Sequence, residues 1–307
     1  MKKYFLFFMC ALAQKLAAQT DTALHVGHHY ITLSEVVLHK KLDVPSFIQR
    51  IQNDTSFYKA FRNLRLLNYT SLNDIRMLDK KGKLKAHLES KTTQIRNNGC
   101  RTMQVEEETV SGDIYTKDST YNYYTLSMYA SLFFTTGKIC GEDNIVGDAA
   151  FSVSGKKGME KHKEQLKMLF FNPGTRIRGL PFMSNKTNMF SKRLADDYTM
   201  DIDHEWFNGS DCYVFRQKAI PGREQHVVIQ EMVTWFRDTD MAIMGRNYTL
   251  KYDAGVYDFN VQMEVVMTPF QMWMVPRLIR YNGNWKVISK KRERGVFTAT
   301  LFNFSAE

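Results

Sequence analysis

The sequence lacks the short motifs that mark common enzyme active sites. It has no Gly-x-Ser-x-Gly elbow, no Gly-x-x-x-x-Gly-Lys-Ser/Thr loop, no Gly-x-Gly-x-x-Gly fingerprint and no His-Glu-x-x-His zinc helix. The acidic residues Asp201, Asp203 and Glu205 alternate along a predicted strand, so we expect them to line one solvated face. We predict no catalytic residue, no metal ligand and no cofactor, with a hydrolase built from unrecognised acidic groups as an alternative.

Proline is scarce, and no sequence feature marks a domain boundary. Six prolines among 307 residues argue against long disordered linkers. No repeat or low-complexity tract forces a domain boundary, so we predict a single β-rich domain over residues 19–307, with a strand–helix lead-in at 19–62.

The N-terminal residues 1–18 have the pattern of an export signal. Lys2 and Lys3 precede an apolar run at 4–13 that is too short to span a bilayer, and the run ends in a small-x-small site. We predict that residues 1–18 are a signal peptide, with cleavage after Ala13 as the alternative to cleavage after Ala18. A lipid anchor on Cys10 is disfavoured because Met9 is too large for that processing site.

Export changes how the charge should be interpreted. The net charge of +10 falls to +7 when Lys2, Lys3 and Lys15 leave with the signal peptide. A basic protein can bind nucleic acid, but an exported protein does not meet it, so we exclude nucleic acid as a partner. We predict a location in the periplasm or at the outer membrane.

Three cysteines and three clustered histidines remain as candidate chemistry. Cys100, Cys140 and Cys212 allow one disulfide with one free thiol, in any of three pairings, or three buried thiols. His25, His28 and His29 could bind a transition metal, but no acidic or cysteine partner completes the set. We therefore interpret the three histidines as part of a polar, mobile mature N-terminus.

The pattern of the mature chain predicts an α+β fold. Alternating segments separated by short turns indicate a curved antiparallel sheet or half-barrel of about ten strands, with helices at 45–62 and 159–171 packed on it. We expect a strand at 30–39, a helix at 121–134, and a turn at Asn282-Gly283-Asn284 that separates two strands.

The C-terminal strands carry a belt of methionine and other apolar side chains. Methionine is flexible and polarizable, so a surface rich in it can accept apolar ligands of varied shape. An ordinary sheet core would give the same pattern. The residues that we predict to contact an apolar ligand are Met241, Ile243, Phe259, Val261, Met263, Met272 and Met274.

The chain resembles exported Bacteroidetes proteins of the carboxypeptidase-like regulatory-domain family. The resemblance spans almost the full mature chain and rests on VPSFIQRIQNDTSFYKAFRNL, GCR at 99–101, YNYYTLSMYASLFF, KHKEQLKMLFFNPG, TWFR at 234–237, YDFNVQMEV and YNGNWKVISKKRERGVF. Longer family members carry an N-terminal sandwich module, of which this chain has at most one strand, ITLSEVV.

The alternation of sheet and helices is also similar to the LolA-like half-barrel of envelope proteins. That resemblance implies a curved sheet that wraps apolar lipid chains and is closed by helices. We therefore expect a non-enzymatic cell-envelope protein that binds an apolar or lipid-linked ligand on the concave sheet face. The alternative is a scaffold with a filled core that binds an envelope protein partner.

Overall fold

The structure is a computed structural model that describes residues 22–146, 168–174, 183, 185–253, 257–287 and 291–307. The predicted signal peptide at 1–18 and most of the helix predicted at 159–171 lie outside the described residues. The end of that predicted helix, at 168–171, is helical.

Among the described residues, thirteen strands form one large, curved and unclosed sheet. The strands are β1 (Thr22–Val26), β2 (His29–Leu33), β3 (Asn68–Leu78), β4 (Leu84–Asn97), β5 (Cys100–Ser111), β6 (Ile139–Cys140), β7 (Tyr198–Phe207), β8 (Ser210–Ala219), β9 (Ile229–Arg237), β10 (Ile243–Asp253), β11 (Tyr257–Phe270), β12 (Trp273–Val287) and β13 (Glu293–Ser305). Across the sheet they follow the order β1-β2-β7-β8-β9-β10-β11-β12-β13-β3-β4-β5-β6.

The α+β class with a mostly antiparallel sheet is confirmed, but the predicted count of about ten strands is too low. The additional strands are short. β1 has five residues, lies in the segment expected to be mobile and pairs with β2, and β6 has only two residues. Such segments are too short to produce a recognisable alternation of apolar and polar residues.

One strand pair in the described sheet is parallel. β2 pairs with β7 through Ile31 and Met200, whereas the other described pairs are antiparallel. Parallel neighbours need a long crossover connection instead of a tight turn. The chain between β2 and β7 supplies that connection, because it passes through helices and β3–β6.

Four α-helices are described: α1 (Glu35–His39), α2 (Val44–Asn53), α3 (Ser56–Asn63) and α4 (Tyr124–Phe133). The single helix predicted at 45–62 is two helices. The Asp54 carboxylate accepts hydrogen bonds from Ser56 N at 3.0 Å and Ser56 Oγ at 2.9 Å, which begins a new helix after α2 ends.

The strand predicted at 30–39 ends at Leu33, and α1 follows it. Ser34 occupies the N-cap position of α1 and Glu35 its first turn. Both residues favour a helix start, which the period-two interpretation of this segment overlooked. The helix predicted at 121–134 is confirmed as α4.

Helices α2, α3 and α4 cover one face of the sheet, which we call the covered face. Phe47 of α2 lies 5.2 Å from Phe236 of β9, and Tyr129 of α4 lies 4.8 Å from Phe297 of β13, measured between ring centroids. The opposite face, which we call the open face, is more exposed, as Leu72 of β3 shows with 48% exposure.

The turn predicted at Asn282-Gly283-Asn284 is wrong, because β12 continues through it. Gly283 lies under the buried Tyr281 ring, and a Cβ at this position would be 2.5 Å from Tyr281 Oη. Glycine is therefore required here for the close approach of a ring within a strand.

The cysteine pairing is resolved by β5 and β6. Cys100 and Cys140 are paired residues on these strands and form a disulfide with an S–S distance of 2.04 Å, while Cys212 is free and buried. Among the described residues, no helix has the length and apolar character needed to cross a membrane.

Candidate ligand-binding site

Aromatic side chains from two helices and the segment 168–171 meet on the covered face. Phe57 and Phe61 are four residues apart on α3, and Tyr129 and Phe133 are four apart on α4, so each pair lies on one side of its helix. Ring centroids are 4.6 Å apart for Phe61 and Phe171 and 4.7 Å apart for Tyr129 and Phe133. The aromatic cluster consists of Phe57, Phe61, Tyr129, Phe133, Phe170 and Phe171.

The aromatic cluster and the sheet enclose an apolar cavity of about 20 Å³. Met263, Ile279, Tyr281 and Phe297 form its sheet side. A cavity needs roughly 10–15 Å³ of such volume to hold one water molecule. The cavity is therefore little larger than one water molecule needs. This part of the covered face is closely packed, and we call it the packed end.

The seven residues predicted to contact an apolar ligand stay a prediction, and the structure describes where each of them lies. Only Met263 lies in the wall of the apolar cavity at the packed end. Four of the seven are buried, two are partly buried, and one is 88% exposed: Ile243, Phe259, Val261 and Met263, then Met241 and Met274, then Met272.

Sequence reasoning missed the aromatic residues because it searched the strands for the ligand surface. The available signal was the i, i+4 spacing of rings at Phe57 and Phe61 and at Tyr129 and Phe133. That spacing predicts two aromatic helix faces that must pack on something apolar.

A second cavity of about 320 Å³ lies between the sheet, α2 and the segments 172–174 and 188–190. We call it the arginine cavity. Its wall is partly apolar and partly polar, and the residues that matter for its chemistry are Ile51, Asp54, Asn188, Phe190, Met232 and Arg246. A volume in this range suits a small ligand or the headgroup of a larger one.

Arg246 of β10 is the buried charge of this cavity. The residue is 5% exposed, its Nε donates to Thr234 Oγ1 at 3.0 Å, and its Cζ lies 4.4 Å from the Phe57 ring centroid. Burial lowers the pKa of the Arg246 guanidinium to about 10, an effect that attraction to Asp54 opposes. The side chain is therefore still positively charged at neutral pH.

The arginine cavity borders the packed end through Phe57. The Phe57 ring lies beside Arg246 and is 5.5 Å from the Phe61 ring, measured between centroids. The buried charge and the aromatic cluster are thus neighbours on the covered face.

The acidic residues of β7 lie on the open face, as predicted. Arg216 of β8 binds all three carboxylates: its Nη1 is 3.2 Å from Asp201 and 3.4 Å from Asp203, and its Nη2 is 2.9 Å from Glu205. These carboxylates are part-exposed, and the shared guanidinium offsets one of their three negative charges.

The histidine cluster is more ordered than expected. His25 and His29 belong to the β1–β2 hairpin, and His29 is buried with its Nε2 3.3 Å from Phe190 O. Burial lowers the pKa of His29. Within the described chain, the histidine cluster does not have metal-ligand spacing, whereas Asp74, His87 and Glu89 on the open face do. Arg76 already forms two hydrogen bonds to its Asp74 carboxylate.

Comparison with known proteins gives structural likenesses only. No family model and no curated protein matches the chain. The carboxypeptidase-like family therefore stays a prediction.

Among solved structures, the chain is similar to a DUF1329 family protein from Desulfovibrio piger, with 12% identity, a TM-score of 0.28, and coverage of 84% of this chain and 92% of that one. It is also similar to a domain from Vibrio parahaemolyticus classed as an outer membrane lipoprotein-sorting protein, with 9% identity, a TM-score of 0.26, and coverage of 80% and 89%. At these scores neither match identifies a function for this chain.

Proposed function

We propose that this is a non-enzymatic cell-envelope protein that binds an apolar or lipid-linked ligand on the covered face of its sheet. The arginine cavity carries the proposal, because it is about 320 Å³ in volume and adjoins the aromatic cluster. Ile51, Phe190 and Met232 give it apolar walls. An amphipathic molecule could place its polar group beside Arg246 and its apolar part against these three side chains.

Lipid extraction of natively purified protein tests this function directly. Mass spectrometry of the extract should find a co-purifying lipid in stoichiometric amount. Asn188→Trp should remove it, because the half-buried Asn188 lies in the cavity wall and an indole would fill the space. Asn260→Trp, at an exposed position of β11, is the matched control and should retain the lipid. An unaltered protein that releases no lipid contradicts the proposal.

A second candidate is a scaffold that binds an envelope protein partner. The packed end favours it, because a cavity of about 20 Å³ leaves no room for a lipid chain. Under this hypothesis neither native extraction nor added lipids would show binding, and Asn188→Trp would change nothing but local packing.

The envelope location rests on the predicted signal peptide. N-terminal sequencing of the protein recovered from the envelope fraction should give a start after Ala18, or after Ala13 if the alternative site is used. A start at Met1 in the cytoplasmic fraction would contradict this part of the proposal.

A further inference from the structure

We propose that the arginine cavity binds an oxyanion, a carboxylate or a phosphate group, through Arg246. The oxyanion would be the polar group of the ligand, and the proposal rests on the proposed function for the apolar portion of that ligand. Binding of the oxyanion can be tested separately from binding of the apolar portion.

Most of the hydrogen-bond donors of Arg246 have no partner among the described residues. A guanidinium carries five N–H donors, and the hydrogen bond to Thr234 Oγ1 uses only the one on Nε. Within the part of the chain that the structure describes, Arg246 makes no other hydrogen bond and no ion pair within 4.0 Å. Buried charges in proteins are normally paired, so we expect the Arg246 guanidinium to bind an anionic group from outside the described chain.

The arginine cavity provides the space in which the remaining Arg246 donors could contact a partner. Arg246 lines the arginine cavity, and the Phe57 ring beneath its guanidinium holds the planar group in place. A fixed guanidinium fork matches the two oxygens of a carboxylate or phosphate. The cavity is large enough for such a group with water around it, at about 320 Å³.

Asp54 is the acidic neighbour that an incoming anion would meet. It lines the same cavity and attracts Arg246, but its carboxylate already accepts hydrogen bonds from Ser56 N and Oγ at the start of α3. Its charge should oppose anion binding without occupying the guanidinium. Removing that charge should therefore strengthen binding.

Calorimetric titration of the purified chain with defined probes tests the proposal. Dodecanoate and dodecyl phosphate should bind, and dodecyltrimethylammonium should bind more weakly. Arg246→Met keeps an unbranched stem beside Phe57 and should weaken dodecanoate binding about tenfold or more. Arg280→Met removes the same charge from an exposed position on the open face and should leave binding unchanged. Asp54→Asn should strengthen binding.

The outcomes separate the oxyanion site from the apolar site. Equal affinity of Arg246→Met and the unaltered protein for dodecanoate would overturn the oxyanion proposal and leave the proposed function standing. If inorganic phosphate binds through Arg246 as tightly as dodecyl phosphate, the oxyanion site is supported and the apolar function fails. Binding of none of the probes would overturn both. If Arg246→Met does not fold, Asp54→Asn decides, and unchanged or weaker binding contradicts the proposal.

Discussion

The two ends of the covered face are filled in different ways. At the packed end, rings from α3, α4 and 168–171 leave about 20 Å³ free, whereas the arginine cavity leaves about 320 Å³ beside a buried charge. Burying aromatic rings is favourable in itself, but burying a guanidinium is unfavourable without a partner. The packed end therefore contributes to the stability of the fold, whereas the arginine cavity is the place where we propose that a ligand binds.

The largest expected effect comes from emptying the packed end. Phe61 is 7% exposed and contacts the rings of Phe57, Phe133 and Phe171, so Phe61→Ala should lower the free energy of unfolding by about 4 kcal/mol. Phe190→Ala, at a half-buried residue beside the arginine cavity, should cost less than half as much. Urea denaturation measures both, and equal losses would mean that the two ends are packed alike.

The disulfide fastens the sheet edge on the side of the packed end. Replacing Cys100 and Cys140 together with serine should lower the free energy of unfolding by about 3 kcal/mol, because a closed loop restricts the unfolded chain. Reductant should have the same effect on the unaltered protein and none on the double variant. Amide exchange should increase at β5 and β6 but not at Arg246; a uniform increase would show that the two ends unfold together.

Adding atoms should also distinguish the two ends. Gly283→Ala places a Cβ 2.5 Å from the Oη of Tyr281, which lines the packed end and accepts a hydrogen bond from Trp285 Nε1 at 2.5 Å. We expect a loss of about 2 kcal/mol in urea denaturation. Asn188→Trp adds many more atoms at the arginine cavity and should cost less than about 1 kcal/mol. The reverse order would contradict the assignment of the packed end and the arginine cavity.

Much of the sheet could be predicted because side-chain alternation is a local property. The alternation of Asp201, Asp203 and Glu205 correctly predicted that they share one face, where all three are part-exposed, and the apolar run of α4 correctly predicted a helix. The prediction of secondary structure failed at a turn where a tertiary contact outweighs the local turn propensity of the sequence. Asn282-Gly283-Asn284 has the composition of a turn, but the Tyr281 ring covers Gly283 and keeps the strand continuous.

The arginine cavity could not be predicted for two physical reasons. A register shift between Ile243 and Gly245 places both Ile243 and Arg246 on the covered face, although strict alternation puts residues three apart on opposite faces. The other walls come from Ile51, Asn188 and Met232, which are far apart in the chain. Only the three-dimensional arrangement of these segments brings the buried charge and its cavity together.

The smallest effect we expect concerns pH and the arginine cavity. His29 is buried, its Nε2 contacts Phe190 O at the cavity wall, and its Nδ1 has no hydrogen-bond partner among the described residues. Burial lowers the pKa of His29 in the folded protein. As the pH falls below the unfolded value of about 6.5, the unfolded chain therefore takes up a proton before the folded one does.

Acidification from about pH 8 to about pH 5 should consequently lower the free energy of unfolding, and the loss should level off once the folded histidine is also protonated. His29→Gln can still donate to Phe190 O but does not titrate, so it should flatten this dependence, whereas His28→Gln, at an exposed position, should preserve it. Urea midpoints across the range measure the effect. Equal slopes in the two variants would mean that His29 does not link pH to the wall of the arginine cavity.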